Sequence, residues 1–335
     1  MPYIYKLRFL MTLAAIATSL RLLFGICSPH PPSAAASPLA HTDMGTTYSS
    51  TDTRKLAYMT SLTNTTNNDF QFTATRMLGY QLLHQATTKT QRRIPFVVLV
   101  TTDVIQETRD LLIADGAVVI PVSDLYNTSS FRPDNNTSFL GSGTDTALKA
   151  AAWTLTSYDL IAFLDANVVL NRCMDAIFDD TAVASQTTLL GHHDSTLPKN
   201  YIFAALPEVN AIHDYPPATK DFANLDTLSS AVYLFRPDIR LFRYFVNVLS
   251  TPQQLLPSSP SGQQLLNHAF NRKDNMPWRQ LDQRWHIKFP HPRDVEGGVA
   301  SMYIDSWWYE HMHTQLRTYY DSIMWRMQGF YELRG

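Results

Sequence analysis

Apolar residues come in two rhythms along this chain. Short, largely apolar runs at 57–62, 94–100, 117–122 and 160–164 have the length of buried strands, and 94–100 has their β-branched content. Between them, 70–85 carries Met77, Leu78, Leu82 and Leu83 at helical spacing, and 103–114 and 145–154 also read as helices. Gly116 ends the second of these, as a glycine just past a helix does. Further strands are expected at 182–190 and 230–235, and helices at 263–270 and 307–327. Strands alternating with helices predict a doubly wound, mostly parallel α/β sheet in a single domain over 56–335. Its central strand is the one that ends at Asp165.

The first residues follow another pattern. Lys6 and Arg8 precede an apolar stretch that runs from Phe9 to Leu20 and, past Arg21, on to Cys27. Basic residues before such a run suit a cytosolic N-terminus. Counted through to Cys27 the stretch is a span-length signal-anchor over 1–27; counted to Leu20 it is a cleavable signal, with small residues at 34–36 as cleavage candidates. Both readings place the rest of the chain in the secretory lumen. Residues 28–55, rich in Pro, Ser, Ala and Thr, read as a flexible stem. This is the layout of a Golgi-type membrane enzyme, type II if the anchor is kept and secreted if it is cleaved. Asn64, Asn127, Asn135 and Asn136 each begin an Asn-x-Ser/Thr triplet, as expected of a glycoprotein. Cys27 and Cys173 are the only cysteines, so a luminal domain would be stabilised by its core rather than by a disulfide. A hydrophobic content of 45% supports such a core, and a net charge of −2 gives no basic face for nucleic acid.

Chemistry concentrates where the run 160–164 stops, at Asp165-Ala166-Asn167. Carboxylates at the C-terminal edge of a strand sit where open α/β sheets bind ligands. On an extended backbone, residues i and i+2 point the same way, so Asp165 and Asn167 would meet one metal-bound diphosphate. A sugar-nucleotide transferase is the leading expectation. The chain has no GxGxxG, GxxxxGKS, HExxH, GxSxG or paired CxxC, which removes the fingerprints of dinucleotide, P-loop, zinc-hydrolase and serine-hydrolase sites. His192-His193-Asp194 and His311/His313 are poor metal pairs, because adjacent histidines on a strand diverge and i, i+2 positions on a helix do not face each other. Trp307, Trp308 and Tyr309 read as core aromatics before they read as a sugar platform.

Along the chain stand the words LAYMTSLTN from Leu56, MLGYQLLH around Gly79, IPFVVLVTTDV, DGAVVIPV, LKAAAWTLTSYDLIAFLDANVVLN, SSAVYLFRP from Ser229 and GQQLLN from Gly262. Taken in order, the series resembles glycosyltransferase family 8, most of all its glycogenin-like fungal branch. The resemblance spans residues 56 to 310. It implies a GT-A fold and retaining transfer of a sugar from a UDP-sugar to a glycan or glycoprotein acceptor, with Mn2+ (or Mg2+) as cofactor. Carried over residue by residue, it implies metal contacts at Asp165 and Asn167 and catalytic roles for Asp165 and Lys149. It places the nucleotide near Thr60 and Ser61, and sugar contacts at Ser229, Ser230 and Gln263. Trp153 and Tyr158 are also retained. The chain departs from the pattern at Asn167, which is neutral where the family has a second aspartate. It departs again at Gly262 in place of an aspartate, at Ile304 in place of a histidine ligand, and at Ser306 in place of a lysine. The alternative those departures open is a catalytically weak or inactive member that binds a glycan or a partner.

Overall fold

The structure is a computed structural model that describes residues 52–63, 70–128, 145–189, 197–250, 256 and 260–334. The expected anchor, the stem up to residue 51, His192 to Asp194 and the Asn64, Asn135 and Asn136 triplets lie outside those residues, as does the side chain of Asn127. Chain contacts group Ser49–Gly335 into one compact unit. Among the described residues no helix is long and apolar enough to cross a membrane.

In chain order the elements are β1 (Leu56–Leu62), α1 (Phe70–Leu83), β2 (Phe96–Val100), α2 (Gln106–Ala114), β3 (Val118–Pro121), α3 (Val122–Thr128) and α4 (Asp145–Ala151). There follow β4 (Leu160–Leu164), β5 (Val168–Leu170), β6 (Gln186–Thr187), β7 (Asn200–Tyr201), β8 (Phe203–Val209) and β9 (Phe222–Phe235). The last part holds α5 (Ile239–Ser250), α6 (Gly262–Ala269), β10 (Arg279–Gln280), α7 (Pro292–Glu296), β11 (Ser301–Tyr303), α8 (Ser306–His311) and α9 (Thr314–Glu332).

Seven strands form one sheet in the order β10-β8-β9-β4-β1-β2-β3. β4, β1, β2 and β3 run parallel, β9 lies antiparallel between β4 and β8, and β10 is parallel to β8. This is the doubly wound, mostly parallel α/β sheet that the alternation of strands and helices predicts. β1, β2 and β4 read as continuous apolar runs because helices cover both their faces. On one face Ala57, Met59, Ile161 and Phe163 pack under α4, α5 and α6. There Trp153, fully buried, meets Phe235, Phe245 and Phe270 at ring-centroid distances of 4.4, 5.4 and 5.5 Å. On the other face Tyr58, Val98, Ala162 and Leu164 pack against Leu78 and Leu82 of α1 and against Phe178. A third cluster joins Met77, Val169, Met302 and Ile304 to Leu316, Ile323 and Met327 of α9.

Three departures from the sequence pattern have a local physical cause, and α5, α7 and β11 also form where no element was expected. β8 was not expected, because Pro207 inside it removes a ladder donor; its register with β9 slips on either side of that proline. β9 extends back to Phe222 through polar residues, while only Gln186–Thr187 of the expected 182–190 strand pairs, with Asn200–Tyr201. The single helix expected over 307–327 is two, because the His313 ring accepts from the Gln315 N–H at 3.3 Å and caps the start of α9.

His286 is buried among these elements. Ser301 Oγ donates to the Trp285 carbonyl (2.8 Å), so the ring Nδ1, 2.9 Å from that oxygen, is the donor, and Nε2 has no hydrogen-bond partner. Burial pushes the imidazole down to about 3. Between the ordinary histidine value of about 6.5 and that point, the unfolded chain binds a proton that the folded chain refuses. Stability from this group is therefore complete above pH 6.5 and falls as the pH drops, by about 1.4 kcal/mol per unit at most. Thermal melts from pH 7 to 5 will show a smaller loss of Tm in His286→Gln than in the wild type.

Candidate functional site

β4 ends in a tight turn rather than running on. Asp165 donates its N–H to the Ala231 carbonyl of β9 (2.8 Å), and its own carbonyl accepts from Val168 N–H (2.9 Å). Its side-chain Oδ1 accepts the Asn167 N–H at 3.0 Å, an Asx-type turn. The extended backbone expected across Asp165, Ala166 and Asn167 is thus replaced by a turn. What joins the two residues is this hydrogen bond, from the backbone of one to the side chain of the other, not the i, i+2 alternation of a strand. The chain then leaves the large sheet as β5 and pairs antiparallel with β11, Val168 facing Tyr303. Ile304 N–H closes the corner on the Asn167 carbonyl at 2.9 Å. Behind it, the fully buried Gln81 side chain donates to the Leu170 carbonyl (2.7 Å) and accepts its N–H (3.0 Å), tying α1 to β5.

Charge gathers on the front of the turn. Burial pushes the Asp165 carboxyl above its ordinary range, while the Lys149 ammonium and the Asn167 N–H pull it down and the negative charges of Asp145 and Asp305 add to the rise. Asn167 is 6% exposed; its Nδ2 lies 3.4 Å from the Tyr303 hydroxyl and its Oδ1 has no hydrogen-bond partner among the described residues. Asp305 caps α8 by accepting the Trp308 N–H at 2.6 Å. Lys149, buried on α4 with its ammonium 5.4 Å from the Phe163 ring centroid, donates to Asp145 Oδ2 at 2.7 Å. Asp145 Oδ1 accepts from the Ser61 hydroxyl at 2.9 Å, which joins the end of β1 to the start of α4.

Lys149 and Asp145 also line a cavity of about 960 Å³ bounded by α4, α6 and the polar part of β9. Ser230 and Gln263 stand in the same wall, with the Ser230 N–H donating to Gln263 Oε1 at 3.3 Å. Asp165 and Asn167 are not among the lining residues, and Lys149 is the link between the two groups.

Of the residues expected from sequence, Asp165, Asn167, Lys149 and Ser61 fall in one cluster, and Ser230 and Gln263 join it through the cavity. Thr60 faces the other way. Alternation along β1 turns it to the side of Tyr58 and Leu62, and it is fully buried there with a hydroxyl that makes no hydrogen bond. Ser229 is buried too, its Oγ accepting the Ala231 N–H at 3.4 Å. Asp145 was the residue missed, although an acid four places before a helical lysine is a readable pairing signal. Asp305 and Tyr303 were also missed; they arrive only because β11 pairs with β5. Trp308 is half-buried against Phe289, with ring centroids 5.2 Å apart, and the side chain of Trp307 lies outside the described residues.

No family model matches the chain. Two uncharacterized proteins of Schizosaccharomyces pombe are similar to it in sequence. C5H10.12c is 24% identical over 268 residues, 70% of this chain and 69% of its own length. C4C3.09 is 25% identical over 259 residues, 69% of this chain and 67% of its own. Solved structures similar to it include mouse xyloside xylosyltransferase 1 in its apo form, at 12% identity and a TM-score of 0.46 over 75% of this chain and 98% of that one. The galactosyltransferase LgtC, solved with donor and acceptor sugar analogues, has 12% identity and a TM-score of 0.41 over 74% of this chain and 86% of that one.

The turn depends on Gln81 for its backing. Gln81→Met keeps the volume but leaves the Leu170 N–H buried without an acceptor, whereas the Leu170 carbonyl keeps the Tyr319 hydroxyl at 3.2 Å. The cost of one such orphaned donor is about 1–3 kcal/mol. Urea unfolding of the variant will show a lower midpoint with an unchanged m value.

Proposed function

We propose that the chain is a retaining glycosyltransferase of the GT-A class that moves a sugar from a UDP-sugar to a glycan or glycoprotein acceptor. The observation that carries this reading is the placement of Asp165. It stands at the C-terminal end of the central strand, with Ser61 of the neighbouring strand, Asp145 and Lys149 around it and a polar cavity on the far side of Lys149. Ligands of open α/β sheets bind at that edge.

The residues present fit a hard divalent cation. Asp165 offers a carboxylate, and Asn167 offers a buried carbonyl oxygen that nothing else engages; Mn2+ and Mg2+ take oxygen ligands of these kinds. Among the described residues no group of three or more His, Cys, Asp or Glu is placed to hold an ion, so substrate oxygens would complete the set. Bound there, the cation would neutralise charge that develops on the departing UDP. Lys149 holds a positive charge beside Asp165 and offsets part of the same negative charge. Ser61 shapes the nucleotide end of the site, Asp145 stands between it and the cavity, and Ser230 and Gln263 orient the sugar by hydrogen bonds. Front-face retaining transfer requires no general base from the protein. Thr60, turned into the core, shapes the strand rather than the nucleotide. By its sequence pattern, residues 1–27 anchor the protein in a Golgi or other secretory membrane, or direct its secretion when cleaved, with the catalytic domain luminal.

Calorimetry on the purified full-length protein tests the reading. UDP will bind only when Mn2+ or Mg2+ is present, and Asp165→Ala will abolish metal-dependent binding and any hydrolysis or transfer of UDP-sugars. Asn167→Asp will tighten Mn2+ binding by restoring the second charge. Activity unchanged in Asp165→Ala overturns the proposal. The absence of UDP binding in the wild type would instead favour the alternative, a glycan- or partner-binding member with a degenerate site.

A further inference from the structure

We propose that the cavity between α4 and α6 receives an uncharged, polyhydroxylated sugar, and that Asp145 is the specificity residue that selects it over acidic sugars. The proposal rests on the transferase reading and deepens it. The cavity wall carries two carboxylates, Asp145 and Asp226, and two ammonium groups, Lys149 and Lys273. Lys149 is 5% exposed and donates to Asp145 at 2.7 Å, whereas Lys273 is 80% exposed and stands 3.7 Å from Asp226. The cation within the wall is thus the one already bound to Asp145, and Lys273 extends into solvent at the rim. The remaining lining groups are amides, hydroxyls and the backbone of Gly262, with no aromatic or aliphatic side chain among them. Such a surface matches the alternating donors and acceptors of neutral sugar hydroxyls.

Within that wall the carboxylate of Asp145 is the firmest acceptor. Its side chain is 46% exposed, whereas that of Lys149 is 5% exposed, so the pair shows its negative end to the cavity and hides its positive end. Ser61 and Lys149 each hold one of its oxygens, which leaves further lone pairs for a sugar diol. Opposite, the Gln263 NH2 group makes no hydrogen bond to the described residues, while the Asn267 amide is committed to Leu228 and to the Gln263 carbonyl. Gly262 is what keeps the pair in place. A Cβ there would lie 2.5 Å from Lys149 Cδ and 3.2 Å from Asp145 Oδ2, so any side chain would push the lysine out of its position.

The sugar could belong to the donor or to the acceptor, and the two are separated by the probe. Full-length protein with Mn2+ is titrated with UDP, UDP-glucose and UDP-glucuronate, and separately with methyl glucoside and glucuronate. The expected result is at least a fivefold preference for the glucosyl over the glucuronyl member in one series: the first if the cavity holds the donor sugar, the second if it holds the acceptor. Asp145→Asn leaves Lys149 without its counter-charge and will narrow or invert that ratio. Gly262→Ala, which displaces Lys149 without removing a carboxylate, will narrow it as well and guards against a folding defect specific to Asp145→Asn. A ratio unchanged in both folded variants, or no preference in either series, overturns the proposal. UDP alone reports on the transferase reading separately: if it fails to bind while the free-sugar preference and its dependence on Asp145 hold, that reading falls and the sugar site stands.

Discussion

The site hangs on one hydrogen bond inside a turn, from the Asn167 N–H to the Asp165 carboxylate. A strand at the centre of a sheet has its backbone groups paired on both sides, and β4 must stop without leaving any of them buried and unpaired. The carboxylate supplies the missing acceptor, Ala231 takes the Asp165 N–H, and within three residues the chain is paired again as β5. The same bond that ends the strand therefore sets the direction of its acid. It also fixes where Asn167 lies, and through the Ile304 N–H where β11 and Asp305 approach.

Much of this was readable from the residues alone. β1, β2 and β4 announce themselves because both faces are covered, so that nearly every position must be apolar. Ser61 and Thr60 look equivalent in sequence but lie on opposite faces, one beside Asp145 and one in the core. β8 was hidden by Pro207, whose missing donor is tolerated because the ladder to β9 is already irregular there. The break between α8 and α9 carries no glycine or proline; α8 ends with Met312 as its C-cap and a histidine cap begins the next helix, and histidine is not a residue that flags helix starts. Asp145 was legible only as one half of an i, i+4 pair. Its meaning comes from contacts remote in sequence, with Ser61 on β1 and with the space that Gly262 leaves open on α6.

The electrostatics of the cluster constrain what it will accept. Asp145 and Asp305 both act on Asp165, with Lys149 as the cation in the same set. An anionic diphosphate approaching those groups meets a net negative field, whatever the other words of the sequence resemble. A cation answers that repulsion in two ways at once. Bound there, it would supply the missing positive charge and would draw the proton from a carboxyl that burial has made reluctant to ionise. Cation capture at Asp165 would then release a proton, and its affinity would rise with pH through the raised titration of that group. The neutral amide at position 167 fits the same logic. A second carboxylate two residues from the first, in a region that already carries Asp145 and Asp305, would raise the cost of holding the site without an ion. An amide oxygen offers the cation a ligand while adding no charge to that cost.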